Sequence, residues 1–259
     1  MDIRAYNRKA WDHEVENFSP WTIPDSHETI EAARRGEWQV GLTEQKRVPR
    51  DWFPALEGID LLALACGGGQ QSPIFAAAGA KVTVLDNSPR QLEREREVAE
   101  REGLKIKLVE GDMRDLSVFA DESFDLIFHP VSNVFVPEVR PVWKEAFRVL
   151  RHGGTLLAGF MNPVFYLFDM DKAEQGILKI KYKLPYADSE HPEVMQKMME
   201  KNWPLEHSHS LDDQLGGQME AGFHLSGFYE DKTSNHSISE YTPTYIATRA
   251  LKPGYDTLA

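Results

Sequence analysis

Between Ile59 and Phe160 the chain alternates short apolar runs with amphipathic stretches, and this alternation limits its fold more than any other feature. The runs are IDLLALA (59–65), KVTVLD (81–86), IKLVEGD (106–112), FDLIFHP (124–130) and GTLLAGF (154–160). Each is short and bounded by turn residues, as a strand buried on both faces is. Helix-like segments at 70–79, 88–102 and 138–150 separate them. Parallel strands need crossovers, and helices are the usual ones. The pattern therefore predicts an α/β fold with a doubly wound, mostly parallel sheet covered on both faces. One such run alone fits a buried helix turn as well; the repetition decides.

The flanks differ in texture. Residues 1–50 read as a helical N-terminal cap, broken by Pro20, Pro24, Gly36 and Pro49, with too few aliphatic residues to close a core alone. Residues 51–259 form the main domain, with an acceptor-side insertion at about 161–211 marked by Pro163, Pro185, Pro192 and Pro204. Beyond it, LDDQLGGQMEAGF reads as a helix interrupted or capped near Gly216–Gly217. HLSGFYED and TYIATRALK then read as an antiparallel strand pair at the sheet's edge.

Charge narrows the function. Lys plus Arg total 29 against 41 for Asp plus Glu, a net charge of −12 that argues against binding a nucleic-acid backbone. The mixed RQLEREREVAEREG (90–103) alternates sign as a solvated helix face does. One cysteine, Cys66, excludes an internal disulfide framework and a cysteine-rich zinc site. No run approaches the about 20 apolar residues of a membrane span, and the opening MDIRAYNRKAWDHEVE lacks a signal-peptide core, so a soluble cytoplasmic protein with no membrane partner is expected.

The residues for chemistry gather at strand ends. Ala65-Cys66-Gly67-Gly68-Gly69 joins the first strand to a helix, a place where backbone can approach a ligand closely. The dinucleotide fingerprint G-x-G-x-x-G fails in both frames, ending on Ser72 or Gln70, and no Walker sequence is present. Asp86 ends the second strand 19 positions after Gly67, close to the about 20 expected of an acid that holds a ribose diol. Asp112, in EGDMRDL, follows the third strand, where a carboxylate can accept from an adenine amino group. Three successive strand ends thus describe an adenosine site without a phosphate clamp.

Taken in order, LLALACGGG, VTVLDNSPRQLE, EGDMRDL, FDLIFHPVSNVF and EAFRVLRHGGTLLAGF resemble the motifs of the class I, Rossmann-like S-adenosylmethionine-dependent methyltransferases over about residues 55–162. The resemblance implies S-adenosyl-L-methionine as methyl donor and S-adenosyl-L-homocysteine as product. It implies cofactor contacts from Ala65, Cys66, Gly67, Gly69, Asp86, Asn87, Asp112, Met113 and His129, with Asn7 or Trp11 of the cap closing over the cofactor. The family often has an acid where Ala63 stands and a glycine where Ala65 stands, so Gln70, Gln71 or the cap would hold the amino-acid end. If a base acts, His129 is the first candidate, then Tyr166 or His207. HPVSNVF stands where enzymes acting on flipped bases or glutamine amides carry Asn/Asp-Pro-Pro-Tyr/Phe, which with the acidic charge favours a small-molecule acceptor. The rivals are an NAD(P)-dependent oxidoreductase, which would lack both its fingerprint and a Tyr-x-x-x-Lys pair, and a non-catalytic module that only binds the adenosyl cofactor.

Each of these residues also has a plainer reading. Cys66 fits a small buried residue better than a nucleophile. His129 fits a hydrogen-bonded structural histidine as well as a base, and Asn133 either orients the acceptor or satisfies loop backbone. His207 and His209 with Asp212 and Asp213 read as exposed loop rather than metal ligands, and no metal is expected.

Overall fold

Capping residues set the helix limits. Ser88 accepts from the Gln91 N–H, Pro89 occupies the first turn, and Gly103 takes φ +64° to end the helix between them. Asp2 and Ser26 cap the two helices of the N-terminal segment in the same way. The computed structural model describes residues 1–254. In chain order it contains α1 (Ile3–Glu16), α2 (His27–Arg34), β1 (Asp60–Leu64), α3 (Gln71–Ala77), β2 (Lys81–Asp86), α4 (Pro89–Glu102), β3 (Ile106–Glu110) and β4 (Phe124–His129). There follow α5 (Arg140–Val149), β5 (Leu150–Met161), α6 (Met170–Ala173), α7 (Pro192–Lys201), α8 (Gly217–Ala221), β6 (His224–Asp231) and β7 (Tyr245–Leu251).

The strands form one sheet in the order β3-β2-β1-β4-β5-β7-β6. β1 to β5 are parallel, while β7 runs antiparallel to both β5 and β6. This is the doubly wound, mostly parallel sheet with an antiparallel edge that the sequence predicts. The chain winds outward from β1 through β2 to β3 and then restarts on β1's other side with β4. That reversal opens a crevice beyond the carboxyl ends of β1 and β4, where ligands of such sheets bind.

Side chains alternate faces along each strand and both faces are covered. Leu61 and Ala63 of β1 join one core with Phe75 of α3 and Val98 of α4, to which Ile30 of α2, Leu42 and Trp52 from the N-terminal region also belong. Leu62 and Leu64 point into the second core, with Val142, Trp143, Ala146 and Val149 of α5. β5 begins at Leu150, earlier than the apolar run suggests, because Leu150 pairs with Phe124 and the intervening RHGG bulges before Thr155 meets Leu126. Gly153, at φ +81°, makes that bulge possible. The helix expected near Gly216–Gly217 is a wide π-type turn, Asp212–Gly216, running into α8.

Gly159 of β5 lies under the segment that carries Leu42. A Cβ there would sit 2.2 Å from the Leu42 carbonyl oxygen, which also lies 3.3 Å from the Val131 N–H that donates to it. Gly159→Ala is therefore expected to push residues 41–43 off the sheet and to destabilise the protein by about 1–3 kcal/mol. A lowered urea midpoint at unchanged slope would show this; an unchanged midpoint would mean that the segment yields freely.

Candidate functional site

A cavity of about 370 Å³ occupies the crevice. One wall comes from the turn after β1. Ala65 adopts φ +48°, a left-handed conformation that disfavours a side chain, and Gly68 and Gly69 follow at +111° and +74°. At Gly67 a Cβ would fall 2.7 Å from Gln91 Cβ and 3.0 Å from Asp86 Oδ2, so only glycine lets the turn close on β2 and α4. All three glycine amides are already engaged. Gly67 N–H donates to Asp86 Oδ2 (2.9 Å), Gly68 N–H to the Gln91 carbonyl (3.2 Å) and Gly69 N–H to Glu95 Oε1 (2.8 Å). The turn therefore presents no ring of open amides to a phosphate, and two acidic side chains, Asp86 and Glu95, lie beneath it.

Asp86 is held by the Gly67 N–H on Oδ2 and by Ser88 N–H on Oδ1 (2.9 Å). Burial pushes its carboxyl up, an effect the amides of Ser88, Gly67 and Asn87 partly offset. Asp112 is subject to the same burial, but the amide and guanidinium of Arg114 outweigh it and hold the carboxyl below its ordinary range. Arg114 Nη2 lies 2.7 Å and Arg4 Nε 3.8 Å from Asp112 Oδ2. Arg4 also donates to Asn87 Oδ1 (3.0 Å) and so joins the cap to the end of β2.

The cap crosses the mouth through α1. Asp12 Oδ1 accepts from Ser88 Oγ (2.7 Å), Trp11 packs edge-on to Phe135 (5.1 Å between centroids), and Asn7 is buried between Phe135 and Leu205. Both Asn7 and Trp11 line the cavity. The opposite end is walled by Leu42, Thr43 and Glu44, by Met161 at the end of β5 and Phe165 after it, and by Glu206 and Tyr245.

The structure thus brings Ala65, Cys66, Gly67, Asp86, Asn87, Asp112, Met113 and Trp11 to one cavity, together with Gln70 and Gln71. It does not bring Gly69 or His129 there. A Cβ on Gly69 would meet Arg94 O, Val98 and Pro24, so this glycine serves the packing of the turn against α4. His129 has no exposed surface, lies edge-on to Trp143 and has Nδ1 2.9 Å from the Leu64 carbonyl. A carbonyl only accepts, so Nδ1 carries the proton. Burial pushes the ring down to about 4, leaving it neutral, and its role here is to fasten the end of β4 to the end of β1.

Cys66 is buried, as expected, and burial raises its thiol far above the ordinary range. Other residues have different surroundings from those expected. Asn133 exchanges hydrogen bonds with Gln214 (3.1 and 3.2 Å) and ties the loop after β4 to the π-type turn. His207 and His209 are buried, not exposed: His207 N–H donates to Val134 O (2.7 Å) and His209 Nε2 to Asn133 O (3.0 Å). Asp213 meanwhile accepts from Arg140 (2.7 Å), so these residues do not converge as a ligand set. Tyr166 lies behind the cavity wall and donates to Glu206 Oε2 (2.6 Å). Glu95, Glu206 and Tyr245 were not singled out by the sequence; Glu206 stands directly before His207 in the string EHSHSLDD.

Residues 62–158 match the family model described as a methyltransferase domain. The chain is similar to the uncharacterized methyltransferase YbaJ of Bacillus subtilis (strain 168), with 53% identity over 96% of this chain and 98% of that protein. A shorter likeness, 41% identity over 38% of this chain and 26% of the relative, joins it to the sterol 24-C-methyltransferase erg6 of Aspergillus fumigatus. Among solved structures, an S-adenosylmethionine dependent methyltransferase from Mesorhizobium loti superposes at a TM-score of 0.61, with 18% identity over 78% of this chain and 94% of the other. The structural likeness speaks for the fold, and the relative matched along nearly its whole length speaks for the family: this chain belongs to the class I S-adenosylmethionine-dependent methyltransferases.

Proposed function

We propose that the protein binds S-adenosyl-L-methionine in the cavity beyond β1, β2 and β3 and methylates a small-molecule acceptor at the end bounded by Met161, Phe165, Glu206 and Tyr245. The observation that carries this reading is that every glycine amide of the turn is already engaged by an acceptor of the chain itself. Such a turn offers a pyrophosphate no donors, whereas an adenosyl group carrying a sulfonium needs none there. The same observation weighs against a nicotinamide dinucleotide. When bound, the cofactor supplies an electrophilic methyl group already activated by the positive charge on sulfur.

On this reading Asp86 accepts from the ribose hydroxyls, Asp112 and Met113 border the adenine, and the backbone of Ala65 to Gly67 borders the ribose and sulfur. Gln70 and Gln71 stand at the amino-acid end, and Arg4 and Trp11 of the cap cover the site. The protein's contribution to the reaction is alignment and exclusion of water. The acidic surface and the pairing of both lining arginines with Asp112 favour a small molecule over a nucleic acid. The sterol likeness spans too little of either chain to assign the acceptor. Among the described residues no helix is long and apolar enough to cross a membrane.

Calorimetry with S-adenosylmethionine, S-adenosylhomocysteine and NAD tests the assignment. Binding of NAD with none of the two adenosyl compounds would overturn it. Asp86→Ala is expected to weaken S-adenosylhomocysteine binding by about 1–3 kcal/mol, the range for leaving buried donors unmatched. Unchanged affinity in the folded variant would remove Asp86 from the ribose role.

A further inference from the structure

The charges lining the cavity are segregated. Arg4 and Arg114, its two lining cations, both lie at Asp112, whereas Glu44 and Glu206 line the other end with Tyr245. Glu206 is held firmly. Its N–H donates to Asp188 Oδ2 (2.8 Å), Asp188 Oδ1 accepts from Tyr186 OH (2.7 Å), and Tyr186 stacks on Tyr166 (5.6 Å), which donates to Glu206 Oε2 (2.6 Å). Oε1 has no hydrogen-bond partner among the described residues. One carboxylate oxygen is thus fixed by a phenol while the other is left for a ligand, in a wall whose apolar part is Leu42, Met161 and Phe165.

Resting on the methyltransferase reading above, we propose that Glu206 binds the N–H or O–H of the acceptor and takes its proton, and that the acceptors are uncharged or cationic hydrogen-bond donors with an apolar body, not anions. A cationic acceptor first gives a proton to Glu206 Oε1, which frees its lone pair, and an uncharged one gives it as the lone pair bonds the methyl carbon; in both the carbon–sulfur pair returns to sulfur. A sulfonium and a carboxylate become a thioether and a carboxylic acid, so opposite charges cancel where solvation is poor. Burial raises the Glu206 carboxyl to about 7, against the Tyr166 hydrogen bond and with help from Asp188, which suits proton exchange near neutrality. The titratable groups facing it are Tyr166, Tyr186, Asp188 and Tyr245, none of them a cation.

The two adenosyl ligands differ by one methyl group and one positive charge, so the ratio of their affinities cancels groups that touch only ribose or adenine. Calorimetry of both between about pH 5.5 and 8.5 tests the assignment without an acceptor. In the wild type the preference for S-adenosylmethionine should rise severalfold as pH climbs through the Glu206 titration near 7, and in Glu206→Gln that rise should be lost, leaving only the smaller change that Glu95 makes nearer pH 8. Tyr166→Phe removes a donor to the carboxylate, so the rise should move to higher pH, a shift that a merely structural role would not produce and that decides the matter if Glu206→Gln fails to fold. Saturation-transfer NMR on the S-adenosylhomocysteine complex tests the acceptor class with phenethylamine, 2-phenylethanol and phenylacetate. Signals from the first two that weaken in Glu206→Gln are expected. A pH-indifferent ratio, an unchanged ratio in Glu206→Gln, or preferential binding of phenylacetate would overturn the role of Glu206 alone. Absence of binding by either adenosyl compound would instead overturn the methyltransferase reading.

Discussion

Asn7→Ala is expected to lower stability by about 2–4 kcal/mol and to loosen α1 before the sheet. Asn7 is 2% exposed and makes three hydrogen bonds to distant segments: Nδ2 donates to Phe135 O (3.0 Å) and Leu205 O (2.9 Å), and Oδ1 accepts from Leu205 N–H (2.8 Å). One side chain thus fastens the cap to both the loop after β4 and the insertion. Alanine removes all three bonds and strands two carbonyls and an amide in a place that water reaches poorly. Because Arg4 and Trp11 ride on the same helix, cofactor affinity should fall together with cap stability. Amide exchange along α1 distinguishes local loosening from global loss: protection there should drop further than in β1 or β4. Tyr6→Phe is the control, since the Tyr6 hydroxyl bonds Trp203 O (2.9 Å) at the surface, and it should change little. Protection along α1 equal to wild type in Asn7→Ala would mean that other contacts hold the cap.

The sheet was legible because burial on both faces leaves a simple mark. β2 has the bounds read from KVTVLD; β6, an edge strand alternating between exposed and half-buried residues, has those read from HLSGFYED through its turn residues. The glycine turn was legible as well, down to Ala65, whose φ of +48° falls where the resembling family often has glycine. α4 shows what was hidden. Its buried face includes Gln91, Leu92, Glu95, Val98 and Glu102, a stripe at helical spacing that two glutamates disguise as solvated surface. Glu102 accepts from Arg101 Nε (2.6 Å) and lies 2.8 Å from His27 Nδ1, while Glu95 accepts from the glycine turn. No local pattern announces a carboxylate whose partners lie 26 or 75 positions away. Glu206 escaped for the same reason, since Tyr166 stands 40 residues before it. His207 and His209 read as exposed because their neighbours are polar, but the bridge between Ala187 and His207 and the bond to Val134 draw this segment inward.

Glu95 carries the second large prediction. It is fully buried on α4, with Oε1 accepting from Gly69 N–H (2.8 Å) and Ser72 Oγ (3.2 Å) and Oε2 without a partner among the described residues. Burial raises its carboxyl from the ordinary 4.5 to about 8, the two hydrogen bonds partly offset this, and Asp86 and Asp25 add to the rise. A carboxyl raised on folding favours the folded state fully below about 4.5, and that contribution is lost as pH climbs to about 8. Glu95→Gln keeps an acceptor for Gly69 but cannot ionise, so it should match the wild type near pH 5 and exceed it by about 1–3 kcal/mol near pH 8.5. Asp25 is also raised, to about 6, first by burial against the opposing pull of Arg47 and Arg101, but it remains in both proteins and largely cancels in the difference. Glu95→Ala removes the acceptor altogether and leaves a cavity beneath the turn. It should destabilise by about 3–5 kcal/mol at every pH and weaken S-adenosylhomocysteine binding as Gly67 to Gly69 lose their anchor. Urea denaturation from pH 5 to 9 reads both effects. Parallel wild-type and Glu95→Gln curves across that range would show Glu95 already ionised at pH 5. The neutral acid beneath the turn would then have to be replaced by a charged one, and the balance of charge facing the cofactor would change with it.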